Sequence, residues 1–528
     1  MLFALSLLLP LAIYAALARR LIQTGVGYQM DEALYVESAV FMLRDGSGTP
    51  PFVHEPAAWI TLFGRRWPLM IIPYVGTVKA FTALPLFAAF GISAETARFA
   101  GVLLGGLGIA GLVALIGTQA SPAAGLITGL LLAIHPSYLA FTVFDNGGVS
   151  VWMGAMGLAA LALVNHVARR STASAFLLGI AAGLGVWARA NFSWLLLAFA
   201  AAALLAGGRR ALPGKRQVAA AAAGGLLGAM PLLVYEAASR LATLRFIAET
   251  ARPLSGHVIV QRLRGLIELM VSDSEQRRIW SGPPLPDWQW SVGAVLLTGV
   301  ALSLIVPSGR GKPAISRWRQ QLALSAILLT VILISSRLHI AQHHLVAVQP
   351  LALASLAILA VEVAPRYRRA VPVLMAAATG LAVLSLSWNL RTERGLRETG
   401  GRWTFSSGIY EVSRHLESHP VPPGRLKILD WGFQNNLYVI SGGAVHGNEL
   451  FWGATKEASS RGFTWDAELA DGGTFLLFQF PTRPSPITFA SEGFSKALES
   501  YRGPRREQLF VDRLGSPFAR LVKVTPAR

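Results

Sequence analysis

Asp31 and Glu32 are the residues of this sequence best placed to do chemistry. They lie in the run Gly27-Tyr-Gln-Met-Asp-Glu-Ala-Leu-Tyr35, just after the first apolar stretch. Carboxylates beside a membrane are costly unless they have a task, so the pair predicts an acid–base site on the first hydrophilic loop. The plainer reading is that Asp31 caps a short helix and Glu32 occupies its first turn. Arg189, in Trp187-Ala-Arg-Ala-Asn191, is flanked by apolar segments and needs an anionic partner, for which phosphate is well suited. Asp145, in Phe144-Asp-Asn-Gly-Gly148, sits on another polar turn, a position that an acid also takes for purely structural reasons. A third cluster is Ser336-Arg337-Leu-His339-Ile-Ala-Gln-His343-His344. His339 and His343 are four apart, a spacing that metal ligands use on one helical face. No acid or cysteine follows nearby, so a divalent metal is not indicated. Arg337, His344 and their neighbours suit a lipid phosphate or headgroup instead.

These residues must be positioned by membrane helices. The chain has 528 residues, 53% hydrophobic and only 14% charged, where a soluble domain carries about a quarter charged. Without cysteine there are no disulfides, thiolate metal sites or thiol nucleophiles. The net charge of +19 comes from basic residues gathered between apolar spans, which argues for membrane topology rather than nucleic acid. Apolar runs of roughly spanning length lie near 1–18, 96–117, 122–140, 149–167, 174–188, 191–207, 218–235, 290–306, 321–336, 345–363 and 371–388, about eleven in all. The first lacks the basic opening and cleavage site of a secretory signal and reads as a retained helix.

Basic clusters at Arg169-Arg170, Arg209-Arg210 with Lys215-Arg216, Arg310 to Arg319 and Arg366 to Arg369 fall on alternate connections, marking one face as cytoplasmic. Arg19-Arg20 run against that rule and are outvoted. The opposite face then receives loop 19–95, loop 141–148, loop 236–289 and a tail from 389 to 528. Within loop 19–95, segments 32–44 and 73–90 read as helices lying in the interface, and Arg98 as an anchor at its helix end. The tail has alternating runs at Leu426 to Asp430, Thr474 to Phe480 and Arg520 to Val524, with helical stretches at Ser407 to Glu417 and Phe494 to Tyr501. The expected layout is a polytopic α-helical membrane domain, 1–388, followed by a small extracytoplasmic α/β domain, 389–528.

The motif Asp31-Glu32-Ala-Leu-Tyr35 is followed by Ala39 and Met42, then Tyr74-Val-Gly-Thr-Val-Lys79, Leu84-Pro85, Phe90-Gly91-Ile-Ser93 and Ala97-Arg98. Over about the first 210 residues this resembles the integral-membrane glycosyltransferases of GT-C type that use polyprenyl-phosphate sugars. Protein O-mannosyltransferases and lipid A aminoarabinose transferases (glycosyltransferase families 39 and 83) belong to that group. The resemblance implies inverting transfer of a sugar from a polyprenyl-phosphate donor to an acceptor hydroxyl on a lipid, glycan or protein. Asp31 matches the base that takes the acceptor proton, with Glu32 orienting the acceptor or Asp31, or simply starting a helix. Lys79 and Arg189 match cations that would meet the departing phosphate, and Asp145 an acid that would contact acceptor or sugar. It further implies a bacterial inner-membrane protein with its site on the outer side. A transporter or flippase for a lipid-linked or anionic substrate is the main alternative; it should show repeats and mid-membrane charges, which the sequence lacks. A noncatalytic assembly protein is another. No phosphate-cradling loop or serine elbow stands in a suitable context.

Overall fold

Backbone groups inside hydrocarbon must be satisfied within their own segment, which leaves helices as the form open to single apolar runs. The computed structural model describes residues 2–44, 46–47, 50, 55–208, 213–283, 288–307, 313–367, 369, 371–452 and 463–526, and every expected apolar run is helical there. The protein is a polytopic α-helical membrane protein with a small C-terminal sheet domain. Among the described residues, six helices are long and apolar enough to cross a membrane, and up to eight if each of two bent pairs is one span. The bent pairs are Pro122–Ile134 with Pro136–Val143, at 64°, and Lys215–Gly228 with Met230–Ser239, at 63°. Thr172–Ala188, Phe192–Gly207 and Trp290–Ile305 are apolar but shorter. Of the basic clusters, Arg209, Arg210, Arg310, Lys312 and Arg368 lie outside the described residues.

Small residues let the helices approach closely. A Cβ on Gly111 would collide with the Gly157 carbonyl oxygen, so the glycine lets helices Ala94–Gln119 and Val149–Arg169 lock together. Gly179 on Thr172–Ala188 does the same against the Ala221 carbonyl of Lys215–Gly228.

Loop 19–95 folds on itself at one end of the bundle. It holds the short helices Met30–Leu34 and Glu37–Arg44 and the antiparallel pairs β1 (Trp59–Leu62) with β2 (Arg65–Pro68) and β3 (Met70–Ile72) with β4 (Val75–Gly76). Helix Val78–Phe90 follows, 13 residues, too short to span and consistent with an interfacial placement.

The last apolar helix, Val371–Thr399, runs past residue 388 before the chain turns at Gly400-Gly401. Beyond it stands a mixed sheet in the order β6-β5-β7-β9-β8: β5 (Leu426–Ile428), β6 (Asn448–Glu449), β7 (Gly473–Phe478), β8 (Arg505–Val511) and β9 (Pro517–Val524). The first three in that order are parallel, and β9 and β8 are antiparallel to their neighbours. Alternate residues go to opposite faces, as a strand's period of two requires. Leu476 and Phe478 pack with helices Gly408–Ser418 and Gln434–Ile440; Phe475 and Leu477 pack with Trp465–Asp471 and Thr488–Ser500. A separate small core joins this domain to the first loop. Tyr438 and Val439 pack there with Tyr28, Ala33, Val40, Ala83 and Ala97. The Asn435 amide donates to Glu37 at 2.5 Å, and that of Asn436 to the Tyr28 carbonyl at 3.1 Å.

Candidate functional site

The Asp31 carboxylate is not a helix cap. Gln29 caps helix Met30–Leu34, its side-chain oxygen accepting from the Asp31 N–H at 2.7 Å, while Glu32 closes the capping box on the Gln29 N–H at 3.2 Å. Asp31 is thus held in the first helical turn with its carboxylate available. It receives a hydrogen bond from the Gly147 N–H. Burial raises its pKa from 3.8 to about 6, opposed by the positive charges of Arg278 and Arg189 and reinforced by Asp145. A carboxylate of that strength is ionised at neutral pH yet basic enough to accept a proton, which is the requirement for a general base.

Glu32 has a different task. It accepts from Arg98 at 2.6 Å and 2.9 Å, while Arg98 also donates to the Val26 and Gly27 carbonyls. Both side chains are almost fully buried, at 2% exposure for Arg98 and 1% for Glu32. Arg98 is therefore not the interface anchor expected from its helix-end position; it ties the Asp31 helix to the membrane bundle. Both Glu32 oxygens are engaged, by Arg98 and by the Gln29 N–H, so this side chain fixes the short helix that carries Asp31.

Lys79 and Asp145 require a correction. The Lys79 ammonium lies 2.7 Å from the Asp145 carboxylate, and both side chains are inaccessible to water. The remaining Asp145 oxygen accepts from the Ser150 N–H at 2.7 Å, starting helix Val149–Arg169. Taken singly, each reads as a substrate contact; folded together, they neutralise one another. They hold helix Val78–Phe90 against the Asn146-Gly147-Gly148 turn.

That turn shapes the site. Gly147 has φ +75°, and a Cβ on it would lie 2.5 Å from the His343 ring. A Cβ on Gly148, at φ +66°, would meet the Tyr35 ring at 3.1 Å. Glycine alone lets the backbone pass between these rings to reach Asp31.

Arg189 ends helix Thr172–Ala188. Its backbone bridges Val75 of β4, and the next N–H, of Ala190, donates to the Tyr74 carbonyl at 2.9 Å. The guanidinium is 2% exposed and meets His344 Nε2 at 3.2 Å, while its Nε has no partner. Among the described residues no carboxylate lies within ion-pair distance of it. A buried guanidinium so placed is expensive to maintain without an anion. In the sequence Tyr74 stands only as the start of the motif that ends at Lys79, with no site role, and Arg278 is not marked at all; in the fold the Tyr74 hydroxyl feels Arg189 and Asp31 together.

Beside these groups lies a cavity of about 820 Å³, open to solvent, whose lining includes Asn146, Arg252, Arg264, Arg278, Arg337 and His343. Arg337 is exposed there. His339 precedes the short helix Gln342–Leu345, so His339 and His343 do not share one helical face. No group of three or more histidines or carboxylates that could hold a metal occurs among the described residues.

Comparison places this arrangement in a known fold. No protein-family model and no curated protein matches the sequence. Solved structures do match: the chain has the fold of the GT-C membrane glycosyltransferases. ArnT from Cupriavidus metallidurans bound to undecaprenyl phosphate superposes with a TM-score of 0.58 and 15% identity over 97% of both chains. The same protein in the apo state gives 0.58 at 14% identity, covering 98% of this chain and 99% of that one. The oligosaccharyltransferase of Archaeoglobus fulgidus gives 0.51 at 13% identity, over 97% of this chain and 74% of its own.

Proposed function

We propose that the protein is an inverting glycosyltransferase that moves a sugar from a polyprenyl-phosphate donor to an acceptor hydroxyl. The observation that carries this reading is the pairing of Asp31, pushed up to about 6, with a buried Arg189 that has no carboxylate partner among the described residues, on a GT-C fold. Asp31 takes the acceptor proton as the acceptor oxygen bonds to the anomeric carbon. The anomeric carbon–phosphate oxygen bond breaks on the far side, and the lipid phosphate leaves with the electron pair. Arg189, aided by His344, meets that developing charge, and preorganised donors of this kind stabilise charge well in a water-poor site. The arginines around the adjacent cavity, Arg337 among them, gather the anionic donor. Glu32 and the Lys79–Asp145 pair hold the geometry. That ArnT has been solved with undecaprenyl phosphate supports a donor of this chemistry. We place residues 1–388 as the transferase domain and 389–528 as a domain on the same, extracytoplasmic side of a bacterial inner membrane.

The test is donor affinity by isothermal titration in lipid nanodiscs. Arg189→Ala should weaken binding of a polyprenyl-phosphate hexose by roughly 10- to 100-fold, as loss of a charge-assisted bidentate contact does. Unchanged affinity would remove Arg189 from the phosphate site. A transporter would instead move labelled donor across a sealed vesicle without releasing sugar.

A further inference from the structure

The hairpin of β1 and β2 ends on a phenylalanine that no described residue covers. Its turn, Leu62-Phe63-Gly64-Arg65, holds both central residues in the left-handed region, Phe63 at φ +53° and Gly64 at φ +73°. Two-residue turns of this kind favour Asn, Asp or Gly at the first central position, because a bulky side chain is strained there. Phe63 is nonetheless 100% exposed, and Leu62 beside it is 46% exposed. A strained aromatic residue with its whole surface open gains nothing from the protein's own packing. Its reason lies outside the chain.

The surroundings of the hairpin show what lies there. Residues paired across antiparallel strands share a face, so Ile60 and Trp67 stand with Leu62 and Arg65. Trp67 stacks on Phe81 of helix Val78–Phe90, with ring centres 6.4 Å apart. Phe81 in turn lines an open apolar hollow of about 370 Å³, together with Leu104, Leu158 and Leu184 of three apolar helices. Leu104 is about 15 Å along helix Ala94–Gln119, which is long and apolar enough to span. The hollow therefore lies at the depth of the spanning segments, and the Trp67 face of the hairpin stands at its edge.

The base of the hairpin is fixed at the same level. Ala58 and Leu69 pack with Trp187 and with Leu232 and Tyr235 of Met230–Ser239, the second half of a bent apolar pair. The Trp187 indole N–H donates to the Leu69 carbonyl at 2.8 Å. Leu233 of that pair and Leu244 of the next helix, Ala242–Thr250, are exposed, as residues facing lipid are. Charge points the same way, since the hairpin from Trp59 to Pro68 holds Arg65 and Arg66 and no acid. Aromatic rings settle at the headgroup level of a bilayer, and basic residues beside them are drawn to anionic lipid.

We propose that the β1–β2 hairpin dips into the adjoining bilayer surface, with Leu62, Phe63 and Trp67 among the acyl chains and Arg65 and Arg66 on the phosphates of anionic lipids. It is a membrane attachment separate from the spanning helices, and it stands independently of the transferase reading. The chain has no cysteine, so Phe63→Cys gives a single attachment point for a nitroxide label on the full protein in nanodiscs. Collisions with oxygen, which concentrates in lipid, and with a nickel chelate, which stays in water, report its depth. Ser500→Cys, exposed at the end of helix Thr488–Ser500, is the water-side reference. In phosphatidylglycerol nanodiscs the label at position 63 should favour oxygen, and the label at position 500 the nickel chelate. Adding Arg65→Gln with Arg66→Gln should lower the ratio of inserted to free hairpin roughly 25-fold, at about fivefold per arginine on an anionic leaflet, and change little in phosphatidylcholine. A label on Thr61→Cys keeps Phe63 in place, and adding Phe63→Ser there should lower the same ratio roughly tenfold, as exposing a buried phenyl ring implies. Nickel reaching position 63 as freely as position 500 would overturn the proposal, as would ratios that these substitutions leave unmoved. Protection of position 63 only after cell-envelope extract is added would overturn it in favour of a protein partner.

Discussion

Replacing Asp31, the proposed base, should stabilise the protein while it disables it. Asp31 is ionised at neutral pH in surroundings that favour its neutral form, so the folded state bears a cost there. The rise from 3.8 to about 6 corresponds to about 3 kcal/mol. Its partial exposure to water reduces the expectation to roughly 1–2 kcal/mol. The amide introduced by Asp31→Asn keeps an oxygen for the Gly147 N–H without the charge. The sign follows from linkage: between 3.8 and about 6 the folded state binds more protons than the unfolded one, so Asp31 makes wild-type stability fall as pH rises through that window. At pH 7.5 the Asp31→Asn variant should unfold roughly 1–4 °C above wild type in nanodiscs. At pH 4.5, where folded Asp31 is mostly protonated, most of that gap should close. Fluorescence-monitored thermal unfolding at both values reads this directly. A variant less stable than wild type at pH 7.5, or a gap equal at both, would refute the desolvated-base reasoning.

Other consequences follow from the same geometry. The pH profile of kcat/KM should rise through about 6 and plateau, with activity at pH 5 roughly tenfold below that at pH 7; a flat profile over that range would remove Asp31 as the titrating base. Arg278→Gln removes the strongest positive charge holding Asp31 down, so the limb should move to higher pH; no movement would contradict that electrostatic assignment. Lys79→Met leaves Asp145 buried and unpaired and should cost about 3–5 kcal/mol. The double variant with Asp145→Asn should recover much of that loss, and thermal unfolding of the two decides it.

How much of this was legible in the sequence depended on how local each feature is. Asp31, Arg189 and the His343-His344 cluster stand in short motifs beside apolar runs, and spacing alone drew attention to them. Pairings were not legible. Glu32 and Arg98 are 66 positions apart, so a residue that reads as a helix-end anchor turned out to be an internal tie. Lys79 and Asp145 each read as free groups because nothing local shows that tertiary packing joins them. In the tail, β5, β7 and β9 alternate well enough to be seen. Strand β8 does not, because it is an edge strand with nearly every residue exposed, and β6 is only two residues long. The helices of the expected interfacial segments were visible, but their two hairpins, β1–β2 and β3–β4, were not; their strands are two to four residues long.

The most direct measurement compares wild type with Asp31→Asn in nanodiscs, given a panel of polyprenyl-phosphate hexoses and pentoses, with the anomeric configuration of the product read by NMR. The account predicts turnover with inversion in wild type, at least about 100-fold slower in the variant, with donor affinity preserved. Equal turnover in both proteins, or retention of configuration, would contradict it.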